Sequence, residues 1–264
     1  MTDLITSPSN PLVKEIAGLK RRRRRNQTGR FLVEGCRELR HALDAGRVAF
    51  DRIVVSDSLI GSGAEPFLTD AAARSITVTR LGPDAFRHIS MREHPDGVAG
   101  VAMATSFSLE QLDTGGIDRV LVIDGIEKPG NLGAVLRTAD AAGMDAVIVT
   151  GGGADLGNPN VIRASQGAVF DLPIAHVSTP AAVSWLAAHG LRIVVATPEA
   201  DRELWDEDLT GMVALVVGSE HAGVSHALKN VATLVRIPMV GAADSLNASV
   251  AAALVMYEAV RQAR

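Results

Sequence analysis

The chain has 264 residues, 47% of them apolar, with a net charge of −4 and a single cysteine, Cys36. That length and apolar content suit one large or two modest domains, one cysteine excludes an internal disulfide, and 3% aromatics are too few for a base-stacking platform. No apolar run reaches the length of a membrane span, no Cys/His cluster points to zinc or another metal, and the start lacks a signal peptide's apolar stretch, so a reducing cytoplasm is the expected compartment.

Charge is unevenly spread. Residues 1–50 hold 11 Lys/Arg against 5 Asp/Glu, which leaves −10 for the remainder. Lys20, Arg21, Arg22, Arg23, Arg24 and Arg25 are consecutive. A basic end on an acidic chain points to local contact with a polyanion through phosphates. A solvated helix end is the plainer alternative. The run lies in a predicted helix over residues 10–25, with Asn10 as cap, Pro11 in the first turn, and Leu12, Ile16 and Leu19 on one face.

Residues 30–35 read as a strand and 37–45 as a helix ending at Gly46. Strands over residues 50–55 and 75–79 follow, with a helix between them, and residues 97–104 complete a small α/β unit. The polar, turn-rich stretch 106–116 reads as a linker between an N-terminal domain (1–105) and a second domain (117–264). From Ile117 the pattern changes to short, almost wholly apolar runs at 120–123, 146–149, 193–196 and 213–217. Such runs form a parallel sheet covered on both faces. A helix over residues 249–260 closes the chain.

Three segments combine small polar residues with turns before or at helix starts, where unpaired backbone N–H groups can hold a ligand. They are Asn131-Leu132-Gly133-Ala134-Val135-Leu136-Arg137-Thr138-Ala139, Val217-Gly218-Ser219-Glu220-His221-Ala222-Gly223, and Ile237-Pro238-Met239-Val240-Gly241 with Ser245-Leu246-Asn247-Ala248-Ser249. In order and spacing they resemble the signature motifs of the SpoU (TrmH-like) RNA ribose 2′-O-methyltransferases, over essentially the whole chain. Ala248 stands where the family more often has valine.

The resemblance implies a SPOUT-type parallel sheet with a C-terminal trefoil knot, preceded by an α/β domain like ribosomal protein L30. It implies S-adenosyl-L-methionine as cofactor, a homodimer, and RNA as substrate, ribosomal RNA of the large subunit ahead of transfer RNA. Thr197, Gly218, Ile237, Met239 and Leu246 would surround the cofactor. Asn131, Arg137, Glu220, Ser245 and Asn247 would form the catalytic set. Arg163, in a stretch resembling R-x-S-x-G-A, would hold RNA together with the six consecutive cations.

Residue chemistry leaves alternatives open. A lone helical arginine is commonly a surface ion pair. Arg137 can be a phosphate anchor that orients the 2′-hydroxyl, or the general base, a role made awkward by the strong basicity of guanidinium groups in general. Asn131 and Ser245 also suit helix capping, and His221 has an imidazole suited to proton transfer. Gly151-Gly152-Gly153 with Gly157 is a variant dinucleotide fingerprint, but Asn158-Pro159-Asn160 interrupts it and no acidic ribose ligand follows. A dehydrogenase and a non-catalytic RNA-binding assembly factor are therefore the rival functions.

Overall fold

The computed structural model describes residues 4–61, 64–103, 107–112 and 116–264, and the chain forms two compact units. Met1–Ser106 and Asp155–Asp171 make the first; Phe107–Ala154 and Leu172–Arg264 make the second.

The first unit opens with α1 (Pro11–Gly18), capped by the Asn10 side chain accepting from Leu12 N at 2.9 Å. The expected single helix over residues 10–25 is in fact two, because α2 (Arg22–Thr28) starts anew after a turn. Arg25 explains the break: its guanidinium folds back and donates to Leu19 O at 2.7 Å and Lys20 O at 2.9 Å, carbonyls a continuous helix would have used itself. Four strands follow, β1 (Arg30–Glu34), β2 (Phe50–Val55), β3 (Thr77–Arg80) and β4 (Val98–Met103), ordered β1-β4-β2-β3. Only β2 and β3 run parallel.

Helix α3 (Cys36–Ala45) ends at Gly46 in the left-handed conformation, as a C-cap glycine should. Helices α4 (Glu65–Ala73) and α5 (Pro83–Ile89) complete the connections, and Phe86 and Ile89 of α5 are buried with Val13, Ile16 and Leu19. The expected strand end at Ala104 lies outside the described residues.

The second unit holds β5 (Arg119–Asp124), β6 (Ala146–Thr150), β7 (Ile174–His176), β8 (Arg192–Ala196), β9 (Val213–Gly218) and β10 (Thr233–Val235). Their order is β10-β8-β9-β5-β6-β7, and every pairing is parallel. Near-continuous Val/Ile/Leu runs are what strands covered on both faces require, and Val120, Val122, Ile148, Val195, Ala214 and Val216 form one core. The two three-residue strands β7 and β10 escaped the sequence reading because runs that short carry no periodicity. Helices α6 (Pro129–Ala141), α9 (Thr179–Ala188), α10 (His226–Lys229) and α11 (Ala248–Gln262) belong to this unit, and α11 packs against α6 and β9.

Of the expected linker, Phe107–Leu112 belongs to this second unit: Phe107 O accepts from His176 N at 2.8 Å, and Leu112 is fully buried in its core. Residues 105, 106 and 113–115 lie outside the described residues. Helices α7 (Pro159–Ser165) and α8 (Ala168–Asp171), although late in sequence, pack into the first unit. Phe170 stacks on Phe31, His41 pairs with Asp171 at 2.6 Å, and Arg25 pairs with Asp155.

Candidate functional site

The second unit carries its polar side chains at the carboxyl ends of its strands, where an apolar sheet can present them without burying them. Asp124 ends β5 and is buried. Thr150 Oγ1, at the end of β6, donates to Asp124 Oδ1 at 2.7 Å, and Ser225 N donates to Oδ2 at 2.7 Å. This carboxylate ties two strand ends to the loop after β9.

That loop is a tight hairpin. Ser219 and Gly223 exchange backbone hydrogen bonds at 3.2 and 3.0 Å, and Gly223 has φ +64°. Gly218 lies against it so closely that a Cβ there would be driven into the backbone of Gly223 and Val224. Glycine is required at this position for backbone approach.

Two cavities flank the hairpin. The larger, of about 720 Å³, lies beyond the ends of β8 and β9 and under the loop from Arg236 to Leu246. All five residues expected around a cofactor, Thr197, Gly218, Ile237, Met239 and Leu246, line it, as do Ser245 and Glu220. Its charged lining is mostly acidic: Glu199, Glu203, Glu220 and Asp244 against Arg236 alone among Lys and Arg. Glu203 and Arg236 pair at 3.6 Å. The Lys229 ammonium, and after it the Thr197 hydroxyl, hold the Glu199 carboxyl below the usual range. The smaller cavity, of about 490 Å³, lies on the other side of the hairpin, between Asp124 and the start of α6. The Gly151–Gly157 loop lines neither cavity.

Glu220 stands where the three motifs meet. Its Oε1 accepts from Asn131 Nδ2 at 2.8 Å and from Asn247 Nδ2 at 2.9 Å, and its Oε2 pairs with Lys128 Nζ. Asn247 Nδ2 also reaches Asn131 Oδ1 at 3.2 Å, while Asn247 Oδ1 accepts from Ser249 N at 2.9 Å and caps α11. Lys128 foremost, then Asn131, holds the Glu220 carboxyl below its usual range. Asn131, Glu220 and Asn247 are thus one hydrogen-bonded cluster, with Ser245 in the adjoining cavity wall.

Arg137 is not in that cluster. It is exposed on α6, lines neither cavity, and has no hydrogen bond or ion pair among the described residues. Arg163 sits on α7 in the first unit, exposed, donating to Asn160 Oδ1 at 3.2 Å.

The basic run is not uniform. Arg21, Arg22, Arg23 and Arg24 are exposed, but Arg25 is only 6% exposed and is consumed by Asp155 and two carbonyls, so its expected RNA contact is corrected to an internal one. Lys20 is half-buried and donates to His88 O at 2.8 Å; burial pushes its ammonium pKa down. Lys128 and Asp124 went unrecognised in the sequence. A lysine just before a Pro-started helix was the available signal for the first; the second reads only as the last residue of an apolar strand.

Among the described residues, no cluster of His, Cys, Asp and Glu is arranged to hold a metal, and no helix is long and apolar enough to cross a membrane.

This is the layout of an α/β domain that binds a small ligand at the carboxyl ends of parallel strands and presents polar side chains beside it. Residues 118–257 match the SpoU rRNA Methylase family, and residues 10–100 match the MRM3-like substrate binding domain. The chain belongs to the SpoU rRNA methylase family.

It is 34% identical to the 23S rRNA (guanosine(2553)-2′-O)-methyltransferase RlmP of Bacillus subtilis, across 96% of this chain and 97% of that one. It is 33% identical to the 23S rRNA (uridine(2479)-2′-O)-methyltransferase of Streptomyces viridochromogenes, across 98% and 92%. The crystal structure of an AdoMet-bound rRNA methyltransferase from Sinorhizobium meliloti superposes with a TM-score of 0.89 at 30% identity, covering 98% of each chain.

Proposed function

We propose that this protein methylates a ribose 2′-hydroxyl of ribosomal RNA, in the large subunit, with S-adenosyl-L-methionine as donor. The observation that carries this reading is the convergence of the three motifs on Glu220, beside a cavity lined by every residue expected around the cofactor. Relatives named as 23S rRNA methyltransferases match nearly the whole chain, which favours ribosomal over transfer RNA.

The larger cavity fits the cofactor. Its volume lies within the range of about 300–1,000 Å³ usual for such ligands, its wall at Gly218 is bare backbone, and its surplus of carboxylates complements a sulfonium and an ammonium. When bound, S-adenosyl-L-methionine supplies an electrophilic methyl on a positively charged sulfur.

The chain's own residues do the rest. Backbone around Thr197, Gly218, Ile237, Met239 and Leu246 holds the ligand. Asn131, Glu220 and Asn247 fix one another, so their polar atoms are positioned before RNA arrives. Ser245, on the cavity wall, hydrogen-bonds ribose or phosphate. Arg137 grips the phosphate beside the target ribose with its planar fork and polarises the 2′-hydroxyl.

Because Arg137 is exposed and outside both cavities of its own chain, we assign it to the site of a second copy in a homodimer. Val250, Leu254 and Tyr257 support this: spaced four and three apart on α11, they form an exposed apolar stripe on the helix that packs against α6. Arg163 and Arg21 to Arg24 hold RNA backbone. We read the Arg236–Asn247 loop, which returns from edge strand β10 to α11 beside β9, as part of a trefoil knot, and the lone thiol of Cys36 as suited to a reducing cytoplasm.

The test is transfer of labelled methyl from S-adenosyl-L-methionine into ribosomal and, separately, transfer RNA, by wild type and Arg137→Ala. Label in ribosomal RNA that vanishes in the variant is the expected result. Label confined to transfer RNA would replace the substrate, and cofactor binding without transfer to either RNA or to precursor ribosomal particles would leave a non-catalytic assembly factor.

A further inference from the structure

None of the five residues expected around the cofactor lines the smaller cavity, yet it shares its wall with the larger one along Ser219 to Gly223 and at Ala248. A ligand in one therefore adjoins a ligand in the other, as a group transfer between two substrates requires.

The carboxylates around the smaller cavity outnumber its cations. Asp124 is buried and already accepts from Thr150 and Ser225, whereas Glu127 and Glu220 are exposed, Glu220 in contact with Lys128. These are acceptors: they repel a phosphate and suit the hydroxyl, imino and amino donors of a nucleoside. Lys128 is the one lysine or arginine lining it, and its side chain is 64% exposed, at the water-facing side. Lys128 is also the N-cap residue of α6 and makes no side-chain cap, so the helix's positive end is left to whatever lies beside it.

Glu220 does not depend on Lys128 for its position. Both asparagine amides bind Oε1, whereas Lys128 binds Oε2. An ion pair this exposed contributes little to stability, so the ammonium is free to exchange its carboxylate for a phosphodiester oxygen.

Resting on the reading of this chain as an RNA 2′-O-methyltransferase, we propose that the smaller cavity is the subsite for the target nucleoside, with Lys128 as the residue that grips its adjoining phosphate at the mouth. The buried Asp124 disfavours a phosphate at the inner end, so the sugar and base enter there and the phosphate stays at the exposed Lys128. Lys128 thus sets which way round the nucleotide enters. It is a positioning residue, and the proton and methyl movements of the reaction do not pass through it.

The test uses Lys128→Gln and Lys128→Arg in the full chain, with deproteinised bacterial 23S ribosomal RNA as probe, measuring methyl transfer, S-adenosyl-L-methionine affinity and the salt dependence of RNA binding. Losing one charge-assisted phosphate contact should raise the KM for RNA about tenfold in Lys128→Gln and reduce the slope of log affinity against log salt by about one. Cofactor affinity near neutral pH should stay at the wild-type value, and Lys128→Arg should restore most of the KM. A Lys128→Gln variant with unaltered KM and salt slope, or one that loses kcat or cofactor affinity instead, overturns the assignment and makes the pair with Glu220 structural. If wild type transfers no methyl, the proposed activity fails on its own account, and the salt slopes of the two proteins still decide whether Lys128 holds phosphate.

Discussion

The Asn247 amide donates to Glu220 Oε1 at 2.9 Å. The same oxygen takes the Asn131 amide from 89 residues away in sequence, so a single carboxylate oxygen joins the start of α6, the hairpin after β9 and the cap of α11. Each asparagine keeps its carbonyl for another partner: Asn247 Oδ1 caps α11, and Asn131 Oδ1 accepts from Asn247. The amide orientations are thereby fixed, because turning either side chain over would set a carbonyl oxygen against the carboxylate.

Glu220→Ala removes the acceptor shared by two amides and frees both asparagines. Methyl transfer should fall on the order of a hundredfold, the loss expected when reacting groups drift by about an ångström. Glu220→Gln retains one acceptor oxygen and should lose less. Thermal unfolding of both variants should stay close to wild type, since the cluster is exposed. A Glu220→Ala enzyme with wild-type kcat and KM would show the cluster to be incidental.

Arg137 offers a cleaner separation of chemistry from folding. It has no partner among the described residues, so Arg137→Ala should change unfolding free energy by no more than about 0.5 kcal/mol. Loss of a donor aimed at developing negative charge should lower kcat by about 10²–10³-fold. Arg137→Lys should recover little, since an ammonium cannot reproduce the planar, two-pronged fork. Wild-type turnover in Arg137→Ala, measured with ribosomal RNA at saturating cofactor, would remove this residue from the mechanism.

Much of this was legible because the motifs are local. Asn131, Glu220 and Asn247 announce themselves by their neighbours, and the apolar runs of β5, β6, β8 and β9 by their composition. What stayed hidden depends on partners distant in sequence. Nothing distinguishes Arg25 from Arg24 until Asp155, 130 residues on, packs against it. Asp124 looks like a strand end until Thr150 and Ser225 enclose it. Leu112 reads as part of a polar linker because one apolar residue in a short turn carries no period, and only the sheet beside it makes it core. Residues 155–171 likewise read as continuous with their sequence neighbours, yet they fold with the first unit through Phe31, His41 and Arg25.

Arg25 and Arg23 should behave oppositely although two residues apart in one run. Arg25→Ala strands the Asp155 carboxylate, which is 15% exposed, and leaves two carbonyls unpaired, at a cost of about 3–5 kcal/mol. Chemical denaturation should show this as a lower midpoint. Arg23→Ala, at an exposed position, should leave the midpoint in place and reduce RNA affinity together with its salt dependence. Equal effects of the two variants on stability would contradict the assignment of Arg25 to the interior.

Gly218→Ala tests the cofactor cavity from its backbone side. The added methyl meets the main chain of Gly223 and Val224, which cannot swing aside as a long side chain can, so the hairpin must move. Overpacking of this kind costs about 1–3 kcal/mol, and the wall common to both cavities moves with it. Isothermal titration should show S-adenosyl-L-methionine binding lost or severely weakened in a protein that still unfolds cooperatively. Undiminished binding would place the cofactor elsewhere.

The acid limb of cofactor binding should report on Glu220. Its carboxyl is held low, by Lys128 first and Asn131 second. For a carboxyl whose folded value is depressed, the stabilising contribution is complete above the ordinary glutamate value of about 4.3 and is lost only as pH falls through the lower, folded value. Between pH 7 and 5 the cluster should therefore persist, and S-adenosyl-L-methionine affinity should show no loss attributable to Glu220. In Lys128→Gln the largest cause of the depression is gone, so the acid midpoint should move upward toward that of an ordinary glutamate while affinity near neutral pH is retained. Calorimetric titrations of both proteins across the acid range measure the difference, and coincident acid limbs would mean that Lys128 does not govern the Glu220 charge.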